Sequence, residues 1–223
     1  LAVAWPAFAR GGRKVDDLLS FTDFAPTFLE AAGLEAPAVM TGRSFLDVLA
    51  SGKSGRVDAR RTSAYSGRER HSHARRDNLG YPARALRTPD YLYIRNFKPD
   101  QWPAGDPEGF YDIDGGPSKD YVLKERGRFF ELACGKHPGE ELFDIRKDPA
   151  CLKNLAQSRE HDATLARLRG EMDRTLKAQR DPRALGAGDI FESYPRYSRM
   201  RPELGGFAKE GEYNPAFAPT AAP

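Results

Sequence analysis

The sequence holds only two cysteines in 223 residues, and Cys134 and Cys151 lie in no Cys-x-x-Cys motif. Two thiols are too few for a disulfide scaffold, and they leave the compartment undecided. No apolar run approaches the length of a membrane span, and mean hydropathy is low at -0.65. Charge of one sign is also missing: 35 basic and 32 acidic residues leave a net charge of +3. So weak an overall field gives little support to nucleic-acid binding. There is no His-Glu-x-x-His, no P-loop, no Gly-x-Ser-x-Gly and no internal repeat. The opening Leu1-Ala2-Val3-Ala4-Trp5-Pro6 has neither a basic leader nor an initiating Met. Its continuous apolar run reads as a short strand buried on both faces and cut open at its start, so the chain is expected to be a fragment of a longer protein.

The remaining composition allows one large domain or two small ones with an ample core. Its most concentrated feature is Ser66 to Arg84, where Arg68, Glu69, Arg70, His71, His73, Arg75, Arg76 and Asp77 crowd between Gly67 and Gly80-Tyr81-Pro82. Arginine forks suit sulfate, phosphate or carboxylate oxygens, and histidine adds donors tunable near neutral pH. By composition alone this stretch is either a solvated charged hairpin or a surface that recognises an anion.

Along the chain, Ser20, Thr22 and Asp23 offer N-cap oxygens, and Pro26 falls in a first helical turn. Phe21, Ala25, Phe28 and Ala32 then repeat at helical spacing, with Phe24 and Leu29 widening the stripe, before Gly33 stops it. A second short helix is predicted over Ser44 to Ala50. The polar stretch Lys53 to Arg61 suits a surface connection and a domain boundary. Strands are predicted over Thr62 to Ser66, Arg84 to Thr88, Tyr91 to Phe97 and Glu141 to Asp144, with short turns that imply an antiparallel sheet. The Pro- and Gly-rich stretch from Lys98 to Ser118 reads as a long irregular loop, a type that is usually functional or disordered. Helices are predicted over Tyr121 to Ala133 and about Asp162 to Gln179, the second from Leu165, Leu168, Met172 and Leu176. Asp181-Pro182 ends it, and the segment from Arg183 is expected to lie extended.

Other clusters have plain readings. Asp16-Asp17 resembles a metal-binding pair in type, but beside a helix start it serves capping and dipole matching. Glu140-Glu141 and Asp112 with Asp114 are read as equally ordinary. Cys134 and His137 find no further partners for a nucleophile or a zinc site, so Cys134 is expected to be structural, and Cys151 to be a small apolar residue under the last helix.

The ordered set Leu1 to Pro6, Val15-Asp16-Asp17-Leu18, Ser20 to Gly33, Met40-Thr41-Gly42-Arg43-Ser44, Gly67-Arg68-Glu69-Arg70-His71, Tyr81 to Arg87, Tyr91 to Phe97 and Glu140 to Pro149 resembles the C-terminal part of a sulfatase. The superfamily is the alkaline-phosphatase-like one, and the nearest branch is the heparan N-sulfatase, or N-sulfoglucosamine sulfohydrolase-like, one. The resemblance implies an α/β fold, with residues 1–58 ending the large domain, 59–182 forming a smaller antiparallel-sheet subdomain packed by a C-terminal helix, and 183–223 an extended tail. It implies hydrolysis of sulfate esters or sulfamates of sugars by a formylglycine beside calcium. Cys134 is followed by Gly135-Lys136-His137 and Cys151 by Leu152-Lys153, so neither fits the Cys/Ser-x-Pro-x-Arg pattern of that nucleophile.

By the same resemblance, nucleophile and calcium ligands belong upstream, in a missing N-terminal part of the same polypeptide. This chain by itself is then expected to have no catalytic or metal residue and to be inactive, in an enzyme that is periplasmic or extracellular. Partners are a sulfated sugar, with no nucleic acid and no membrane span. By chemistry and loop position, Arg68, His71, His73 and Arg76 are expected to bind sugar sulfate or carboxylate oxygens, and Glu69 to accept sugar hydroxyls. The alternatives are a stand-alone module for sulfated glycans, and a phosphodiesterase or phosphonate hydrolase of the same superfamily.

Overall fold

Ser20 opens the first ordered element: its hydroxyl accepts the Thr22 N–H, while Asp23 Oδ2 accepts the Ser20 N–H at 3.0 Å. The helix α1 runs over Phe24–Ala31. It ends where Gly33, at φ 74°, donates to Glu30 O and Leu34 donates to Leu29 O, a pair of bonds that requires a left-handed residue. This computed structural model describes residues 1–197, 200–205, 211, 214, 216 and 217.

Two compact units emerge, residues 1–66 with 86–90, and residues 67–85 with 91–223. In the first, the stripe read from Phe21 and Phe28 points the wrong way: these rings are 87% and 67% exposed, whereas Asp23, Pro26 and Thr27 are buried. Polar anchors decide the orientation. The Thr27 hydroxyl donates to Asp23 O at 2.6 Å and accepts the Phe45 N–H at 3.1 Å. Arg61 donates to Asp23 Oδ2 at 2.9 Å and to the carbonyls of Arg43 and Ser44 at 3.0 and 2.6 Å. Phe24 meets Phe45 edge to face at 5.7 Å, just before the short helix α2, Leu46–Ala50.

The stretch from Lys53 to Arg61 is therefore no mere surface connection, since Asp58 and Arg61 are buried. Nor does Asp17 cap a helix: its carboxylate accepts the N–H groups of Val57 and Asp58 at about 3.1 Å and pairs with Arg56. Residues 1–6 form no strand, and Leu1 and Val3 are exposed. A strand needs a neighbour to take its backbone bonds, and none of the described residues supplies one there.

One sheet carries four strands in the order β1 (Ala64–Arg68), β2 (Ala83–Arg87), β3 (Tyr91–Asn96), β4 (Glu140–Asp144). β3 and β4 run antiparallel, with Tyr93 opposite Leu142, both fully buried. Helix α5, Asp162–Ala178, packs on β3 and buries Leu165, Leu168, Met172 and Leu176, the predicted stripe. Arg169 on α5 donates to both oxygens of Glu140, and Arg95 on β3 donates to Asp173.

The helix predicted over Tyr121 to Ala133 is instead two, α3 (Pro117–Glu125) and α4 (Arg128–Cys134). Arg126 between them sits at φ 40°, its guanidinium 5.0 Å over the Phe130 ring. Against this pair the irregular loop is pinned rather than loose. Phe110, 1% exposed, meets Trp102 and Phe130 edge to face at 5.9 and 5.7 Å, in a cluster with Ala104 and Cys134. Lys119 closes the loop by donating to the carbonyls of Gly109, Phe110 and Ile113. Beyond α5 the chain does not simply extend: a 3-10 turn over Gly188–Ser193 buries Glu192.

Candidate functional site

The charged window leaves β1 at Arg68 and returns into β2 at Ala83. Between them a single 3-10 turn, Arg76–Asn78, holds Asp77 and Asn78 both at φ 55°. Such left-handed backbone persists only where the surroundings fix it. Here they are the pinned loop. Asp106 donates its N–H to Ala74 O at 2.7 Å and accepts the Arg76 N–H at 2.7 Å. Gly105 permits this approach, because at φ 95° a Cβ would press on Ala74 O and Tyr111 N.

One carboxylate gathers the window. Asp112 Oδ2 accepts from Arg68 Nη2 at 2.6 Å and from Arg75 Nη2 at 2.7 Å. Its Oδ1 accepts from Ser72 Oγ at 2.8 Å and lies 3.3 Å from His71 Nδ1. The Asp112 and Arg75 side chains are each 2% exposed. Burial pushes the Asp112 carboxyl up, but Arg75, Ser72 and Arg68 outweigh it and hold it below the usual carboxylate range. Arg75 is held further by Trp102 O and Pro103 O, both at 2.8 Å. Tyr81 lies beneath, its ring 5.5 Å from the Arg75 guanidinium and 5.9 Å from that of Arg68.

Of the five residues expected to meet substrate, three present donors outward. The side chains of His71, Arg76 and Arg68 are 67%, 65% and 41% exposed. Arg76 pairs with Glu108, whereas Nε and Nη1 of Arg68 and Nε2 of His71 have no protein partner among the described residues.

The other two are built into the interior. Glu69 accepts from Arg84 Nη2 at 2.7 Å and from Arg183 Nη2 at 2.8 Å, beside Asp181 and Glu192. Two guanidinium groups thus occupy the carboxylate expected to meet sugar hydroxyls. His73 is fully buried, and its Nδ1 accepts the Arg201 N–H at 2.8 Å. Burial first, and the nearby Arg196 and Arg201 second, push its pKa down and keep the ring neutral.

Asp112 and Arg75 were hidden from sequence reasoning because 37 positions separate them. The one signal was the length of the loop between Lys98 and Ser118. Elsewhere, Cys134 is buried, with its thiol pushed up by burial, and His137 pairs with Glu141 rather than with it. A cleft of about 580 Å³ along α3 and α4, lined by Tyr121, Val122, Phe129 and Leu132, is apolar and carries none of the window's donors. Among the described residues no group of three or more His, Cys, Asp or Glu could hold a metal ion, so the calcium implied by the resemblance has no donor set among them. Among the same residues, no helix is long and apolar enough to cross a membrane.

Two curated relatives from Formosa agariphila (strain DSM 15362 / KCTC 12365 / LMG 23005 / KMM 3901 / M-2Alg 35-1), each described as an ulvan-active sulfatase, are 32% identical over 177 and 199 residues. The matches cover 79% and 83% of this chain, which spans about a third of the relatives' length, 32% and 30%. Among solved structures, BT4656 in complex with its substrate D-glucosamine-2-N,6-O-disulfate aligns with a TM-score of 0.54 at 21% identity, over 80% of this chain and 28% of that one. The protein yidJ from Bacteroides fragilis aligns with a TM-score of 0.50 at 17% identity, over 82% and 30%. These structural likenesses show the fold that this chain shares with part of each of those proteins. The model of the family described as N-sulphoglucosamine sulphohydrolase, C-terminal, matches residues 1–123, and the chain belongs to that family.

Proposed function

We propose that the chain forms the substrate-recognising C-terminal part of a sulfatase that hydrolyses sulfate esters or sulfamates of sugars. The observation that carries this reading is the outward display of Arg68, His71 and Arg76 on a frame pinned by Asp112. Two guanidinium groups share that one carboxylate, so the cluster keeps a surplus positive charge for an anion. The ulvan-active sulfatases among its relatives support the reaction class. Glu69 and His73 support the frame and do not touch the sugar.

On this reading residues 1–58 complete the large domain and residues 59–182 form the smaller one. The formylglycine and the calcium ligands are supplied by sequence outside this chain. Donors without a nucleophile provide binding alone, so the 223-residue chain by itself is inactive.

The test joins the chain to its upstream coding sequence and measures sulfate release from ulvan- and heparan-sulfate-derived oligosaccharides. Phosphate diesters and phosphonates serve as competing substrates. Sulfate release by the joined protein, and none by the chain alone, is the expected result. Turnover confined to the phosphorus substrates, or sulfate release by the chain alone, would overturn it.

A further inference from the structure

We infer that Asp112 is the positioning residue of the anion-recognising face, holding Arg68 and His71 in a fixed geometry for the sulfate or carboxylate oxygens of a sugar. The inference rests on the function proposed above and adds a residue to which neither the family match nor the relatives assign a role.

The geometry gives Asp112 this role. Arginine and histidine on an exposed loop sample many rotamers, and immobilising them at the moment of binding costs affinity. Here the cost is met during folding. Asp112 Oδ2 holds one nitrogen of Arg68 at 2.6 Å, and Pro103 O holds the same nitrogen at 3.2 Å. The remaining donors of that guanidinium, Nε and Nη1, lie on either side of the held Nη2 and face no protein acceptor among the described residues. A planar fork fixed at one corner offers its remaining donors in one orientation. His71 is steadied through Nδ1, which leaves Nε2, a donor in the imidazolium form, outward.

The hub itself is rigid for a separate reason. Arg75 is buried with Asp112 and directs Nε and Nη2 at Trp102 O, Pro103 O and Asp112, while its Nη1 is buried without a partner among the described residues, so it faces the hub and not the ligand. Ser72 Oγ donates to Oδ1, and Phe110 anchors the loop two residues before Asp112. Arg75 thus keeps Asp112 ionised and in place, and Asp112 in turn aims the two exposed donors.

The experiment uses the joined full-length protein, with ulvan- and heparan-sulfate-derived disaccharides and 4-nitrophenyl sulfate as probes. Asp112→Asn is expected to raise KM for the turned-over disaccharide about tenfold, the scale of a hydrogen bond between charged groups, with kcat and the 4-nitrophenyl sulfate kinetics nearly unchanged. Ser72→Ala is the milder second variant, since it withdraws a donor from Oδ1 without stranding the buried Arg75. It is expected to raise the same KM about threefold, below the full value of a charged hydrogen bond.

Equal losses on both kinds of substrate, or no change in either variant, would overturn the positioning role. Should Asp112→Asn fail to fold, Ser72→Ala alone decides between these outcomes. Arg68→Ala and His71→Ala separate the two ideas. If these variants impair the disaccharide while Asp112→Asn and Ser72→Ala do not, the recognition face stands and the positioning role falls. If none of the four affects the disaccharide, the recognition face itself is wrong.

Discussion

Arg84 and Asp181 form a two-pronged pair, Nε to Oδ2 at 2.6 Å and Nη2 to Oδ1 at 3.1 Å. The contact ties β2 to the turn that follows α5, and Glu69 shares the same guanidinium. Both side chains are largely buried, at 9% and 14% exposed. Removing Asp181 withdraws two charge-assisted bonds from Arg84 and leaves Glu69 as its remaining carboxylate, a loss of about 2 kcal/mol. Asp181→Ala is therefore expected to lower unfolding free energy by about that amount in urea titration. A loss below about 0.5 kcal/mol would put this contact with ordinary surface pairs.

Gly105 is a position where the loop approaches the window closely. Gly105→Ala combines a left-handed φ with a press against Ala74 and Tyr111. A loss of about 1 to 3 kcal/mol in thermal or urea unfolding is expected. Amide exchange at Arg76 and Asp106 should quicken with it, because their bonds to the Asp106 carboxylate and to Ala74 O depend on that approach. Unchanged exchange would mean that the loop accommodates the methyl group elsewhere.

Acid stability of the first unit should depend on Asp58. A hydrogen bond with Arg60 is the largest influence on it, and its pKa falls from 3.8 to about 2 in the folded chain. A depressed carboxyl stabilises the fold above its unfolded pKa, and that contribution disappears as pH falls from about 4 through about 2. Asp58→Asn is expected to flatten the stability profile in that window, read by urea midpoints at successive pH values. An unaltered slope would contradict the assignment.

His137 predicts the opposite limb. Its hydrogen bond with Glu141, at 3.0 Å, raises its pKa above 6.5 despite burial. A raised histidine contributes in full below pH 6.5, and the contribution is lost as pH rises through the folded pKa. Replacing it by Gln should remove that alkaline decline while leaving stability above it nearly the same. An unchanged decline would assign it to another group.

The core prediction is the simplest. Leu168 and Met172 are fully buried on the α5 stripe, and truncating either to Ala should cost about 2 to 5 kcal/mol. Denaturant unfolding with an unchanged m-value is the check.

Local features were readable wherever one short stretch decides the outcome. The N-cap oxygen of Ser20, the Gly33 stop, the strand Tyr91–Asn96 and the stripe of α5 all depend on neighbours within a few residues. The family resemblance was readable too, because it lies in the order of motifs along the chain. The helix α1 shows the limit. Its aromatic spacing was real, yet Asp23 and Thr27, bonded to Arg61 and Phe45, chose the buried face.

The arginine and histidine window is the same kind of case. Sequence by itself determined that Ser66 to Arg84 concentrates anion-binding donors beside a long loop. Only the tertiary structure decided which donors remain available, because Glu69 and His73 are consumed by partners more than 100 residues away, Arg183 and Arg201. It also decided what holds the rest, since a buried carboxylate such as Asp112 gathers charge from wherever the chain returns to it, and no local spacing records that return.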